Sequence, residues 1–274
     1  MTHAGGMTEM ITRVLASEES RFYLDYYRKN NFSASELKRS RVPRDIPLTS
    51  RETLAATPFL ERIYTTRNLF TKITCQDDIP LLIGRTEEDI RAEDFGVLGQ
   101  RPLVLFGNVY EGIEKGLWAY TRNILPLISE NNLDISAKAA VAYGVDSIIG
   151  GTEELKAFTP RFPEHNRNMV TSVSIVDVVF DAPFVHEHFQ HAQLSLVLGM
   201  PETGSIAHAC QSALKKGAPV FHPDKNTILE FENTLLITRM LDLPTPIIRY
   251  DTKIAAQVVD TVCDCSADIS FTVT

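Results

Sequence analysis

The stretch LSLVLGMPETGSIAHAC, residues 194–210, decides how the chain is read. Leu194 to Leu198 form a short apolar run closed by Gly199. A run of that length, bounded by turn residues, reads as a buried strand. Met200, Pro201, Glu202, Thr203 and Gly204 follow, and then His208 and Cys210. A strand that ends in glycines beside a carboxylate suggests a loop held close to a ligand. Pro201 stands where such a loop would want a hydroxyl.

The same pattern recurs upstream. RPLVLFGN (101–108), VDSIIGG (145–151) and VTSVSIVDVVF (170–180) are apolar runs, the first two ended by Gly107-Asn108 and by Gly150-Gly151. Helical patterns lie between them: YEGIEKGLWAYTRNILPLI (110–128), ISAKAAVAYG (135–144) and TEELKAFTPRF (152–162), the last with Thr152 as cap and Glu154 nearby. Alternating strands and helices predict an α/β fold with a parallel or mixed sheet, and ligand sites at the carboxyl ends of the strands. Nearer the start, a helix is expected within 8–30, a short helix capped by Ser33 or Ser35, and another capped by Ser50 with Thr53 in its first turn. Strands are expected in NLFTKITC (68–75) and PLLIGRT (80–86), and a helix over EEDIRAEDFGVLG (87–99). From about residue 218 the chain turns to β-branched residues and turns, which predicts a β-rich segment. The expected division is an α/β core over 1–215 and a β-rich subdomain over 216–274.

Composition narrows the class. The 274 residues are 44% hydrophobic and 23% charged, with a net charge of -8. This is the profile of a globular protein, with no basic run to suggest nucleic acid and no apolar run long enough for a bilayer. No secretory pattern opens the sequence, so a cytoplasmic protein is expected. Four cysteines do not suggest a disulfide scaffold, and Cys263 and Cys265 are too close to bridge without strain. A shared metal or free thiols are the readings of that pair.

An ordered series of segments resembles the phenylacetate-CoA ligase branch of the adenylate-forming enzymes. These are IPLTSRETL (46–54), PLLIGRTEEDI (80–90), the VDSIIGGTEEL strand and helix (145–155), LGMPETG (198–204), ILEFENTLLITRMLDLPTPIIRYDT (228–252) and CDC (263–265). The resemblance implies that family's large α/β domain, and a chemistry in which ATP activates a carboxylate to an acyl-adenylate that is passed to a thiol. It points to Glu202 and Arg249 as catalytic positions, Glu202 being what remains of a Mg-ATP loop. Gly150, Gly151, Gly199, Met200, Pro201, Thr203, Gly204 and Tyr250 are the implied ligand-binding positions.

The sequence departs from the family pattern at the nucleotide. ITCQDDIP (73–80) stands where the family has a Gly/Ser/Thr-rich phosphate loop, and Asp77 and Asp78 add negative charge there. Pro201 replaces a phosphate-contacting Thr, Leu198 an adenine-stacking aromatic, and Ile254 an Asp that binds ribose hydroxyls. The small C-terminal lid domain with its catalytic lysine does not follow before Thr274. Ordinary use of ATP and Mg²⁺ is therefore not expected.

The resemblance also implies a structural zinc site of Cys210, His222, Cys263 and Cys265, with His208 as competitor for the nitrogen ligand. Three thiolates and one imidazole close a tetrahedral Zn²⁺ set. His186, His188 and His191 are expected to be solvated, Cys75 idle, and Trp118 and Tyr120 in the core. Three functional readings stand at this point. One is a degenerate ligase-like protein that binds a small carboxylic acid or acyl group, or serves a full-length ligase as partner, in a biosynthetic pathway. Another is an atypical acyl-activating or acyl-transferring enzyme. The last is a purely structural interaction protein. A homodimer is compatible with each.

Overall fold

The protein, seen in a computed structural model, is described at residues 21–32, 46–63, 69–76, 78–215, 219–240, 244–259, 265 and 269–273. In chain order come α1 (Phe22–Lys29), α2 (Arg51–Ala55), α3 (Phe59–Arg62), β1 (Phe70–Gln76), β2 (Ile79–Arg85) and α4 (Glu87–Ala92). Next are β3 (Pro102–Leu105), α5 (Val109–Tyr120), β4 (Leu127–Ile128), α6 (Leu133–Tyr143), β5 (Ser147–Gly150) and α7 (Thr152–Phe158). Then follow α8 (Glu164–Arg167), β6 (Ser172–Asp177), α9 (Ala182–His188), β7 (Gln193–Met200), β8 (Gly204–Ala209) and α10 (Gln211–Leu214). The rest is β: β9 (Phe221–Pro223), β10 (Thr227–Phe231), β11 (Leu235–Arg239), β12 (Tyr250–Asp251), β13 (Ala256–Val258) and β14 (Phe271–Val273). Among the described residues no helix is long and apolar enough to cross a membrane.

Two compact units form. One comprises 1–89, 225–260 and 271–274; the other comprises 90–224 and 261–270. The expected boundary after residue 215 lies inside the second unit, near its edge at Asp224.

The second unit is built on strands in the order β9-β8-β7-β6-β5-β3-β4. β4, β3, β5, β6 and β7 run parallel, and β8 and β9 are added antiparallel to β7. β3 and β5 are buried along their whole length, which is why they read as unbroken apolar runs. Their close approach demands Gly150, where a Cβ would lie 2.5 Å from the Leu105 carbonyl oxygen. α6 ends at Gly144, whose φ of 69° is the left-handed cap that glycine supplies cheaply.

Two expected helices are shorter than the pattern suggested. The helix expected over 87–99 stops at Ala92, because the following loop finds partners on the sheet. Val97 N–H donates to Ser174 Oγ (3.0 Å), Gly99 N–H to Ser147 Oγ (2.9 Å), and Arg101 N–H to Asp146 Oδ1 (2.8 Å). These hydroxyls stand on buried strands and satisfy the loop backbone as a helix would have done. The helix expected over 110–128 stops at Tyr120, and Leu127–Ile128 join the sheet edge as β4. Tyr120 is exposed rather than in the core, while Trp118 is buried and donates through Nε1 to the Glu93 carbonyl (2.9 Å).

The first unit holds the β1–β2 hairpin, the β10-β11-β12 sheet, the β13–β14 pair and α1 to α3. Ser50 caps α2 by accepting from Thr53 N–H at 3.2 Å, as expected. The α1 rings of Tyr23 and Tyr27 are buried in an aromatic cluster with Phe22 and Phe32. Of the helix expected in 8–30, only Phe22–Lys29 is described; the short helix expected at 33–40 lies outside the described residues.

The Gly150→Ala substitution tests the β3–β5 contact. It is expected to cost about 3 kcal/mol, the upper end for overpacking, because backbone rather than a side-chain tip would have to move. Urea unfolding monitored by circular dichroism checks it, with Ile149→Val as a control expected to cost about 1 kcal/mol.

Candidate functional site

In the second unit the carboxyl ends of the strands come first, since ligands of such sheets bind there. The positions expected from the sequence at β5 and β7 are found at those ends. Gly150 ends β5 and Gly151 starts α7; Met200 ends β7; Pro201, Glu202 and Thr203 make the turn; and Gly204 opens β8 with φ of 72°. Register runs Met200↔Gly204, so the turn is a tight three-residue connection. Glu202 and Thr203 are buried within it.

Carboxylates of the chain itself occupy the backbone donors at these ends. Asp177, at the end of β6, accepts from Thr152 N–H at 2.9 Å and from Val178 N–H at 2.7 Å. Glu154 accepts from Gly107 N–H at 3.1 Å, just past β3. Thr152 does not cap α7 as the sequence suggested: Gly151 is the cap residue and makes no side-chain bond, and Asp177 takes over that part. A Cβ at Gly151 would lie 2.3 Å from Glu154 Oε2, so a side chain there would turn that carboxylate aside.

Beneath the Glu202 turn lies a polar cluster that the sequence did not reveal. Glu93 packs against Gly204, and its Oε2 accepts from Ser205 N–H at 2.8 Å. Ser205 Oγ lies 2.7 Å from Glu93 Oε2 and 2.8 Å from Asp224 Oδ2, one hydroxyl shared by two carboxyl groups. A second such cluster is on α5. Lys115 Nζ is 2.5 Å from Glu111 Oε2 and 3.0 Å from Glu114 Oε2, and sits over the Phe95 ring at 4.7 Å. Burial pushes the Lys115 pKa down, but the two glutamates outweigh it and raise it above its usual value. The Glu111–Lys115 spacing of four residues was the available signal, and it reads equally well as a solvated helix face.

In the first unit, Arg249 and Tyr250 are buried. The Arg249 guanidinium is engaged by Glu230 (Nε to Oε1, 3.1 Å), by Glu232 (Nη2 to Oε1, 2.8 Å) and by the Ile46 carbonyl. Tyr250 pairs with Ile237 in the β11–β12 ladder. The β1–β2 hairpin is in register from Phe70↔Arg85 to Gln76↔Ile79. Only two residues separate that last pair, and Asp78 takes φ of 59° there. The segment that resembles a phosphate loop in position is thus a tight hairpin turn. Cys75, on this hairpin, is an exposed free thiol.

The metal candidates converge within the second unit. Ligand atoms of Cys210, His222 and Cys265 all lie within 4.8 Å of one another. Cys210 Sγ is 3.6 Å from Cys265 Sγ, and Cys265 Sγ is 3.0 Å from His222 Nε2. His222 Nδ1 lies 2.8 Å from the Ile269 carbonyl, to which it donates as Nδ1–H. That bond fixes the tautomer and leaves the Nε2 lone pair facing the sulfurs, the arrangement a metal-binding histidine requires. His208 pairs laterally with His222 across β8 and β9, but its Nε2 lies 3.9 Å from Asp94 Oδ2 and outside the group. The choice between the two histidines therefore falls to His222. Burial pushes the Cys210 thiol up, but hydrogen bonds from Ser212, the Ala213 backbone and His222 outweigh it and hold the pKa at about 7. Cys265 is disulfide-bonded here, while Cys210 is a free thiol; Cys263 lies outside the described residues. Among the described residues, His186, His188 and His191 form no metal group. His188 instead stacks edge-on against Phe184 at 4.5 Å.

No family model and no curated protein matches the sequence. Solved structures do. An open conformation of 2-hydroxyisobutyryl-CoA ligase, in complex with 2-HIB-AMP and CoA, superposes with a TM-score of 0.77 over 97% of this chain and 71% of that one, at 12% identity. The chain has the fold of the large domain of an adenylate-forming enzyme. In its postadenylation state the same ligase gives a TM-score of 0.74 at 12% identity, over 97% of this chain and 65% of the ligase. O-succinylbenzoate coenzyme A synthetase from Bacillus subtilis, in complex with AMP, matches with a TM-score of 0.55 and 11% identity, over 74% of this chain and 48% of that one. Amide bond synthetase McbA from Marinactinospora thermotolerans also gives a TM-score of 0.55 at 11% identity, over 76% and 49%. At such identities the likeness is one of fold.

The Lys115→Met substitution is expected to cost about 3–5 kcal/mol at pH 7, since it leaves two buried carboxylates without their counter-ion. The deficit shrinks as pH falls, because buried carboxylates without a cation take up protons readily. Urea unfolding of wild type and variant at pH 7 and pH 5 checks both the size and the sign.

Proposed function

We propose that the chain is a non-adenylating relative of the phenylacetate-CoA ligase branch. It keeps the inherited scaffold to bind a small carboxylic acid or acyl group, alone or beside a full-length ligase, in a biosynthetic pathway. The observation that carries this reading is the β1–β2 register, which leaves two residues between Gln76 and Ile79. A phosphate cradle needs several backbone N–H groups turned inward along an open loop. A two-residue hairpin turn offers few, and Asp78 brings negative charge to it.

Two further features support the reading. Donors at the carboxyl ends of β3 and β5 already bond to Glu154 and Asp177, so an incoming phosphate would have to displace charged groups of its own sign. The buried Arg249 is held by Glu230 and Glu232, so recruiting it for catalysis would break those two ion pairs. Retention of Glu202 favours the second reading, an acyl-activating enzyme of unusual nucleotide chemistry. In that case Glu202 would still hold the divalent cation.

The donor set also supports a structural Zn²⁺ held by Cys210, His222, Cys263 and Cys265. Two or three thiolates with a tautomer-fixed imidazole suit Zn²⁺ better than Mg²⁺ or Ca²⁺. A closed set of four supplies folding energy and no open position for a substrate, so the metal would tie the 261–270 segment to β8 and β9 and take no part in a reaction.

Two measurements test the proposal. Pyrophosphate release with Mg-ATP and a panel of carboxylic acids is expected to stay at background; release with any acid overturns it in favour of the enzyme reading. Metal analysis of the purified protein is expected to give one zinc per chain, lost in Cys210→Ser and in His222→Ala. Zinc that survives both substitutions overturns the assigned ligands.

A further inference from the structure

We propose that the exposed face of α5 is the interface of a homodimer, in which two copies of this chain pair the helix antiparallel about a twofold axis. A surface helix ordinarily turns its apolar side to the core and its charges to water. α5 does the reverse. Among the described residues, its charged side chains, Glu111, Glu114 and Lys115, are buried, while its exposed side chains are Val109, Tyr110, Ile113, Leu117 and Tyr120. Single exposed apolar residues are ordinary, but these are not scattered. On a helix of about 3.6 residues per turn they share one side of the cylinder. Arg122, just past the helix, is turned onto the Trp118 ring at 4.2 Å and donates to the Glu93 carbonyl. β4, at the edge of the sheet, extends the patch. Ile128 lies against Gly112 and Gly116, where a Cβ would fall 3.3 Å and 2.7 Å from its side chain, and it remains 38% exposed. Leu125, shortly before it, is 66% exposed.

The spacing of the stripe names a second copy as the occupant. Tyr110, Ile113, Leu117 and Tyr120 stand three, four and three residues apart. The order aromatic, aliphatic, aliphatic, aromatic reads alike from either end. Laid antiparallel on a copy of itself, with the axis at the level of Lys115, the stripe sets Tyr110 against Tyr120 of the partner subunit and Ile113 against Leu117 of the partner subunit. A twofold contact uses each such pair twice, so it demands a self-complementary pattern of this kind. Charge gives no competing instruction, since the stripe carries none for an acidic or basic partner to match. Area agrees as well. At their exposures these seven side chains bare about 600 Å² per copy, or roughly 1,200 Å² in a pair, which reaches the lower limit of a stable specific interface. The tyrosines at the two ends bury their rings while their hydroxyls stay at the wet rim. The interface does not depend on what the strand ends bind, so it holds under either reading of the site.

Sedimentation velocity of the whole chain tests the interface. Wild type is expected to sediment as a dimer, at twice the 30.7 kDa of the chain. Leu117→Glu and Ile113→Lys, each checked for folding by circular dichroism, are expected to sediment as monomers, the dimer being weakened by about 100-fold or more because the symmetry repeats each change. Met169→Glu, at an exposed apolar position away from α5, is expected to leave the dimer intact. The two monomeric variants are then mixed. Antiparallel pairing places the new lysine beside the new glutamate, so the mixture is expected to form a dimer, a rescue that a misfolded variant could not give. Wild type that stays monomeric at tens of micromolar overturns the proposal, and so does a dimer that survives Leu117→Glu. A mixture that stays monomeric overturns the antiparallel pairing. Capture of a different protein by this face, with the chain itself monomeric, overturns the homodimer.

Discussion

Every backbone N–H at the carboxyl end of a buried parallel strand needs an acceptor, and this constraint shapes the site. In a ligand-binding sheet the acceptor is a bound anion. Here Asp177 serves the start of α7, and Glu154 serves Gly107 past β3. Those donors are satisfied from within the chain. The same logic governs the loop after α4, whose N–H groups are met by Ser147, Ser174 and Asp146. Hydroxyls on buried strands and nearby carboxylates thus satisfy backbone donors outside the helices.

The Cys210–His222–Cys265 group depends on a similar backbone contact. His222 is oriented by the Ile269 carbonyl, so a metal would meet a preset lone pair and not a rotating ring. Its neighbour across the ladder, His208, lies beside Asp94 instead. The two histidines occupy equivalent register positions, and their hydrogen-bond partners distinguish them.

Much of the fold was legible because fully buried strands leave an unmistakable apolar run. VTSVSIVDVVF, VDSIIGG and LSLVLG each supply a strand of the mixed sheet, and the β-rich segment begins close to where composition changes. The ends of α4 and α5 were not legible: the loop after α4 is held by Ser174 and Ser147, distant in sequence, and α5 closes in local turns with Asn123 at φ of 60°. Tyr120 has a core residue's chemistry but lies on the exposed face of α5. The resemblance pointed to the metal candidates; separating His222 from His208 required the geometry, which brings only His222 within 4.8 Å of Cys210 and Cys265. The Glu93–Ser205–Asp224 cluster left no trace, and the Glu111–Lys115 spacing left an ambiguous one, since a buried charge and a solvated one look alike in sequence.

On the proposed reading, a chain with the fold of an adenylate-forming enzyme no longer binds nucleotide. Calorimetric titration of the protein with Mg-ATP tests it most directly. The account predicts no measurable heat of binding up to millimolar nucleotide. A saturable isotherm in the micromolar range, abolished by substitution of Glu202, would contradict it.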